Sequence, residues 1–65
     1  MDFKISLKAA RVNAELSQAE AAKALGVSVP TLIGWESKKR IPRADHVDRM
    51  AQLYGIPAEY FSMFS

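Results

Sequence analysis

The stretch SQAEAAKALGVSVPTLIGWESKK, residues 17–39, is typical of a helix, a tight turn and a second helix. Ser17 is followed three residues later by Glu20, which is the spacing of a capping box at a helix N-terminus. Gly26 stands after the last apolar residue of the first helix and can adopt the left-handed conformation that ends it. The sequence therefore predicts that two short helices meet around residues 26–28.

The start of the second helix carries two conflicting signals. Ser28 is a favoured N-cap residue, but Pro30 disfavours the helical conformation for Val29, so the helix begins either at Val29 or one residue later. Leu32 and Trp35 are three residues apart and are expected to face inward. The opposite, outward face then holds Pro30, Ile33, Gly34 and Ser37.

Two short helices joined by a glycine-containing turn form a helix-turn-helix, whose second helix commonly enters the major groove of DNA. Residues 16–42 resemble the Cro/phage-repressor type helix-turn-helix family, often called XRE, and the resemblance covers about residues 5–61. It rests on a set of matched positions: Leu16, Ser17, Gln18, Ala22, Gly26, Val27, Ser28, Trp35, Glu36, Lys39, Arg40 and Pro42.

This resemblance implies an all-α fold, a compact five-helix lambda repressor-like DNA-binding domain in which the helix-turn-helix is central. One domain over residues 1–65 is expected, with helices at about 6–13, 18–25, 29–36, 43–54 and 57–62. The last of these would begin at Pro57, after Gly55 has ended the fourth helix.

The first helix carries an arginine among apolar residues. Arg11 shares a face with Leu7, Ala10 and Ala14, and a buried charge needs a partner. The resemblance implies a structural ion pair between Arg11 and Glu36, because family members commonly pair these two positions. The alternative is an Arg11 side chain that lies in solvent or on a phosphate.

The resemblance also implies which residues contact DNA. Gln18 resembles the family's phosphate-clamping glutamine at the start of the second helix, where phosphate binding is favoured in any case. The positions that would face the bases are six: Ser28, Val29, Pro30, Thr31, Ile33 and Gly34.

These base-facing positions depart from the usual readout chemistry. They include no Gln or Asn for adenine and no Arg for guanine, so only Ser28, Thr31 and the nearby Lys38 offer polar contacts. Val29, Thr31 and Ile33 could touch thymine methyl groups, which favours an A/T-leaning half-site. Gly34 is either small to allow a close approach or simply a tolerated weak position, at about 1 kcal/mol of helix propensity against alanine.

Basic residues follow the recognition helix. Residues 35–49 carry five basic and three acidic groups, although the net charge of the chain is only +2. A basic patch at that point suits phosphate contacts, the alternative being a solvated loop of ordinary lysines. Lys38 stands where the family usually has glycine, so it either takes a left-handed conformation or the helix ends differently. The phosphate-contact candidates are Lys38, Lys39, Arg40 and Arg43.

The rest of the composition argues against several classes of protein. The absence of cysteine and the single histidine argue against a disulfide, a structural metal site and a cofactor, and no catalytic spacing argues for an enzyme. Without a long apolar run or a leader peptide, the expected location is cytoplasmic, in a bacterial or phage-derived protein that is nucleoid-associated when bound.

The C-terminal residues are rich in aromatic side chains. Phe61 is expected to close the core, whereas Tyr60, Met63 and Phe64 exceed what a core of this size needs. Exposed apolar groups often mark an interface, so they predict a homodimer contact, the alternative being a frayed tail.

Two functions from different classes fit these features. The first is a sequence-specific, dimeric regulator of transcription that binds double-stranded DNA, most simply a repressor, and an antitoxin that represses its own operon is a variant of it. The second is a protein-interaction or adaptor module that keeps the fold without DNA readout and holds a partner through Ile33 and the aromatic tail.

Overall fold

The computed structural model describes residues 4–62 of the 65-residue chain. Within this range the fold is helical apart from one short pair of strands. The elements in chain order are β1 (Ile5–Ser6), α1 (Leu7–Asn13), α2 (Gln18–Leu25), α3 (Val29–Glu36), α4 (Ala44–Tyr54), a 3₁₀ turn (Ala58–Tyr60) and β2 (Phe61–Ser62).

Both ends of α2 are capped. The Ser17 side chain accepts from the Glu20 amide at 3.0 Å, and Glu20 accepts from the Ser17 amide at 2.8 Å, which completes a capping box. Hydrogen bonds from the Ser17 backbone and side chain to the Glu20 carboxylate hold the pKa of Glu20 below its ordinary value. Gly26 ends α2 in the left-handed region at φ 73°.

Ser28 resolves the conflict at the start of α3. It is the N-cap, its side chain accepts from the Thr31 amide, and Pro30 is accommodated within the first turn of the helix. The helix therefore begins at Val29, because Pro30 near the N-terminus removes an amide that would have no intrahelical partner there.

The core lies between all four helices and the end of the described chain. It brings the inward faces of α1 and α2 against Leu32 and Trp35 of α3 and the apolar stripe of α4. The buried apolar residues are Leu7, Ala10, Ala21, Ala22, Leu25, Leu32, Trp35, Val47, Met50, Tyr54 and Phe61. This packing fixes the angle between α2 and α3, so the outward face of α3 is presented by a rigid support.

The fifth helix predicted over residues 57–62 is replaced by a single 3₁₀ turn and the strand β2. Phe61 is in extended conformation, and β2 pairs in parallel with β1 in the register Ile5 with Phe61 and Ser6 with Ser62. A helix over residues 57–62 would remove Phe61 from the extended conformation in which it pairs with Ile5. Strand pairing instead satisfies the backbone while Phe61 is buried edge-on against Tyr54, with ring centroids 6.4 Å apart.

Two helix starts differ slightly from the sequence-based bounds. Ser6 is the N-cap of α1 rather than its first residue, since its side chain accepts from the Ala9 amide. The fourth helix begins at Ala44, and Arg43 occupies the N-cap position without a side-chain capping bond. Residues 4–62 contain no helix long and apolar enough to cross a membrane.

Candidate nucleic-acid interface

The outward face of α3 forms one side of a shallow groove of about 550 Å³. The loop that follows the helix forms the other side. The groove is lined by Ser28, Pro30, Thr31, Ile33, Gly34, Ser37, Lys39 and Arg40. The structure thus brings together five of the six predicted base-facing residues and two of the four predicted phosphate contacts from the loop.

Val29 is the exception among the base-facing predictions. It is half-buried and packs against the core, and it does not line the groove. The reason is its spacing, because Val29 lies three residues before Leu32 and so continues the inward stripe of α3. That spacing was visible in the sequence and outweighs the position of Val29 at the start of the helix.

The polar side chains at the N-terminus of α3 are tied to each other. Ser28 Oγ and Thr31 Oγ1 lie 2.9 Å apart, and the Thr31 amide donates to Ser28 Oγ at 3.3 Å. One hydroxyl hydrogen is used in the bond between the two side chains, which leaves the other hydroxyl hydrogen outside it. Ser28 and Thr31 therefore both cap α3 and offer a hydroxyl donor at the surface.

The loop after α3 folds back onto the helix. The amides of Lys39 and Arg40 both donate to the Gly34 carbonyl, at 3.0 and 3.1 Å. Lys38 has the left-handed conformation that glycine would favour, with φ 66°, and its side chain is exposed outside the groove. The reversal at Lys38 is what directs the next two basic residues toward the face of α3.

Arg43 lies apart from this groove. Its side chain is 79% exposed and its Nε is 3.7 Å from Oδ1 of Asp45. Such an exposed pair contributes little to stability, because solvent screens it and both side chains lose freedom. Arg43 is thus an accessible cation rather than part of the groove wall.

Arg11 and Glu36 lie together beneath the interface. Arg11 Nε donates to Glu36 Oε2 at 2.6 Å and Nη2 donates to Oε1 at 3.3 Å, while Nη1 donates to the Leu16 carbonyl at 2.8 Å. Both side chains are buried, at 8% and 5% exposure. The hydrogen bond to Glu36 raises the pKa of Arg11 above its ordinary value although burial opposes it. The pair fastens α1 and the loop before α2 to the C-terminal end of α3.

Gln18 belongs to the same network. Its Nε2 donates to Glu36 Oε1 at 3.3 Å, so the carboxylate that holds Arg11 also orients this amide at the start of α2. A second depression of about 240 Å³ lies beside it, lined by Lys8, Gln18, Ile33, Glu36 and Ser37. Since Nε2 carries two hydrogens, Gln18 has a second donor for an anion in this depression.

Lys8 is the residue that sequence reasoning missed. It is exposed on α1 and brings a cation to the depression that Gln18 lines. The signal was its position three residues before Arg11, because residues at that spacing lie on the same side of a helix. With Arg11 directed at Glu36, Lys8 is directed toward the start of α2.

The predicted dimer contact is only partly within the described range. Tyr60 is 38% exposed in the 3₁₀ turn, and Met63 and Phe64 lie outside residues 4–62. Within that range the structure holds no group of three or more acidic, histidine or cysteine side chains that could bind a metal ion.

Comparison with known proteins identifies this arrangement. A family model described as helix-turn-helix matches residues 7–61, which extends from the start of α1 into β2. The chain belongs to the helix-turn-helix family of the Cro/phage-repressor type. Families of this type comprise DNA-binding regulators rather than enzymes.

One curated relative of the chain is a phage protein. The chain is 31% identical over 55 residues to the cryptic phage CTXphi transcriptional repressor RstR of Vibrio cholerae. The alignment covers 85% of this chain and 50% of that protein, so the chain spans about half the length of the relative that it matches. No solved structure matches the chain.

Proposed function

We propose that this helix-turn-helix protein is a DNA-binding regulator of transcription that inserts α3 into the major groove and acts as a repressor. The observation that carries the proposal is the groove on α3, whose exposed helix face is bordered by the basic residues Lys39 and Arg40. The similar phage protein is named as a transcriptional repressor, which supports repression as the function of this protein. Bound to DNA in a bacterial cytoplasm, the protein would be associated with the nucleoid.

Phosphate contacts are assigned to two sides of α3. On one side, Gln18 at the N-terminus of α2 and the neighbouring Lys8 surround the smaller depression. A helix N-terminus and a nearby cation both favour a phosphate. On the other side lie the exposed cations Lys38, Lys39 and Arg43, with Arg40 beside them at the face of α3. Contacts on both sides would fix the register of α3 in the groove, as backbone contacts generally do.

Base contacts are assigned to the exposed side chains of α3. Ser28 and Thr31 supply a hydroxyl donor, and Ile33, which is 43% exposed, supplies an apolar surface for a thymine methyl group. Pro30 lies in the first turn and approaches the DNA without a side-chain donor or acceptor. This chemistry favours A·T pairs at the positions that these residues would face.

A dimer is proposed because one copy of α3 is short. Its eight residues extend about 12 Å at ~1.5 Å of rise per residue, which covers three or four base pairs at ~3.4 Å each. So short a site recurs too often to be distinguished among the ~10⁶–10⁹ competing sites of a genome. Two copies on two half-sites would supply the missing length, and Tyr60 is the exposed aromatic residue proposed for their contact.

The test is a salt titration of binding to duplex DNA, followed by the fluorescence anisotropy of labelled DNA. We expect the logarithm of the binding constant to fall linearly with the logarithm of salt concentration. Lys39→Ala should make the slope shallower by about 1, as expected for one lost phosphate contact. Lys23→Ala is the matched control, because Lys23 is an exposed lysine of α2 that lines neither depression.

Two outcomes would contradict the proposal. If the unaltered protein fails to bind duplex DNA at low salt, the DNA-binding function is wrong and a protein partner becomes the better explanation. If Lys39→Ala and Lys23→Ala change the slope equally, the binding is a diffuse attraction of the whole charged surface and not a contact made by the face of α3.

A further inference from the structure

Gly34 and Arg40 are packed against each other on the outward face of α3. A Cβ atom placed on Gly34 would lie 3.2 Å from Arg40 Cδ, 3.4 Å from Cγ and 3.7 Å from Cβ. The aliphatic stem of Arg40 therefore lies directly over the position where another residue would carry its own side chain. Only a residue without a Cβ leaves room for this stem without displacing it.

The backbone fixes this arrangement. The Arg40 amide donates to the Gly34 carbonyl at 3.1 Å, and the Lys39 amide donates to the same carbonyl at 3.0 Å. Both bonds follow from the left-handed Lys38, which turns the chain back onto the helix. Arg40 is thus a loop residue that is held in place on the recognition helix.

The guanidinium of Arg40 is not committed elsewhere. Arg11 is paired with Glu36 and Arg43 lies near Asp45, whereas Arg40 has no ion pair with any residue in the range 4–62. Arg40 lines the groove together with Ile33 and Gly34, neither of which can donate a hydrogen bond through a side chain. The strongest donor in the groove therefore belongs to the loop and not to α3 itself.

We propose that Arg40 reads a guanine in the major groove, from the space that Gly34 leaves open on α3. The proposal rests on the DNA-binding function proposed above and adds a specificity-determining residue to it. Arginine binds guanine through two parallel hydrogen bonds to O6 and N7, and no other base presents this pair of acceptors in the major groove. The half-site would then contain one guanine beside the A·T pairs faced by Ile33 and the hydroxyl pair.

A phosphate contact by Arg40 is the competing explanation, and it makes a different prediction. A phosphate contact weakens binding to all sequences alike and carries no preference for a base. A guanine contact gives a preference at one position, which disappears when either the arginine or the guanine N7 is removed. The two roles are therefore separated by sequence preference and not by affinity alone.

The experiment is the selection of binding sites from a randomised duplex, followed by measured affinities for single-base variants of the selected site. We expect the unaltered protein to select one guanine in each half-site and to bind the substituted site ~5- to ~150-fold more weakly. Replacing that guanine by 7-deazaguanine, which lacks N7, should also weaken binding.

Three variants complete the test. Arg40→Ala should bind all four bases at that position within about twofold of one another, while the preferences at other positions persist. Gly34→Ala keeps the charge but places a Cβ 3.2 Å from Arg40 Cδ, so the stem must shift by a few tenths of an ångström, and the guanine preference should fall with an unchanged salt slope. Lys39→Ala, the neighbouring cation, should weaken binding to every duplex and leave the guanine preference intact.

The proposal is overturned if Arg40→Ala weakens binding to all duplexes by the same factor, or if the unaltered protein binds DNA without selecting a guanine. Either result leaves the DNA-binding function standing. Failure of that function is a separate observation, since the unaltered protein would then show no salt-dependent binding to any duplex.

Discussion

Arg11 is a charged residue buried in the described chain, and its surroundings explain why it is tolerated. Its guanidinium makes two hydrogen bonds to Glu36 and one to the Leu16 carbonyl, so three of its five donors are satisfied by groups from other elements. A buried pair of this kind adds little net stability, because desolvation of both charges offsets their attraction. Its larger effect is geometric, since Glu36 also holds Gln18.

Arg11→Ala is expected to lower the free energy of unfolding by about 3–5 kcal/mol, because it leaves the Glu36 carboxylate buried without its partner. Urea unfolding monitored by circular dichroism measures the change. Lys8→Ala, an exposed substitution on the same helix, is the control and should stay within about 0.5 kcal/mol of the unaltered protein.

The double variant Arg11→Met with Glu36→Leu separates the loss of the ion pair from the cost of leaving one buried charge without its partner. With both charges removed, the loss should be much smaller than the sum of the two single losses, because no uncompensated charge remains. An Arg11→Ala protein within about 1 kcal/mol of the unaltered one would contradict a buried, coupled pair.

Tyr54 makes the stability of the fold sensitive to alkaline pH. Burial, followed by the nearby Glu36 charge, raises the pKa of its hydroxyl from 10.0 to about 12. Because the folded pKa is the higher one, the unfolded chain loses its proton first, and stability falls as pH rises from about 10 to about 12. Below pH 10 this contribution is fully present.

The urea concentration at the midpoint of unfolding should therefore change less between pH 9 and pH 11 for Tyr54→Phe than for the unaltered protein. The Tyr54 hydroxyl is buried without a hydrogen-bond partner in the described chain, so its removal should cost little at neutral pH. Tyr60→Phe is the control, since Tyr60 is 38% exposed. An equal alkaline loss in the Tyr54→Phe protein would show that other groups cause it.

At the scale of the elements, two turns carry a left-handed residue other than glycine. Glu15, between α1 and α2, has φ 61°, and Lys38, after α3, has φ 66°. A side chain in this region costs about 1–2 kcal/mol, and glycine avoids that cost at the expense of a more flexible unfolded chain. Lys38 thus keeps its charge at a cost in stability, which is consistent with the phosphate contact proposed for it.

Lys38→Gly and Glu15→Gly form a matched pair that tests whether Lys38 contacts a DNA phosphate. Each should raise the free energy of unfolding by about 0.5–1 kcal/mol, measured by urea unfolding, because each relieves the same backbone strain. Only Lys38→Gly should also weaken DNA binding and make the salt slope shallower, by about 1. Equal effects of the two substitutions on DNA binding would remove Lys38 from the phosphate contacts.

The elements also show how far the sequence predicts this protein. Both ends of α2 were predictable because Ser17, Glu20 and Gly26 are capping signals that act locally, whereas Ser28 and Pro30 left the start of α3 open by one residue. The region after Pro57 was not, because β2 forms by pairing with Ile5, some fifty-six residues away from Phe61, and no local signal records that pairing. Local chemistry thus predicts helix ends better than it predicts strands.

The candidate site likewise has one part that the sequence predicts and one part that it does not. Its position on α3 follows from the helix-turn-helix pattern, and the outward exposure of Ile33 follows from the inward spacing of Leu32 and Trp35. The contact between Gly34 and Arg40 depends on a turn at Lys38 that the sequence left open. Sequence therefore predicted which helix forms the site but not which loop residue lies across it.

At the scale of the whole molecule, the number of copies on DNA determines what the protein can distinguish. One copy presents a single α3 of eight residues, and two copies related by a two-fold axis would present two of them to half-sites about one helical turn apart. Contact between the copies would make their binding cooperative. Tyr60 is the described residue that we assign to that contact, on the same end of the chain as Phe61, which closes the core.

The prediction concerns duplexes that carry either one selected half-site or two half-sites separated by one helical turn. The unaltered protein should bind the double site cooperatively, and the cooperativity should vanish when about five added base pairs turn the second half-site to the opposite side of the duplex. Tyr60→Ser should abolish cooperativity and leave single half-site affinity unchanged. Val12→Ser, at a 55% exposed apolar residue of α1, is the matched control and should leave both unchanged. Independent binding at every spacing would contradict the dimer. The DNA-binding function would stand without it, because the proposed base and phosphate contacts lie within each copy.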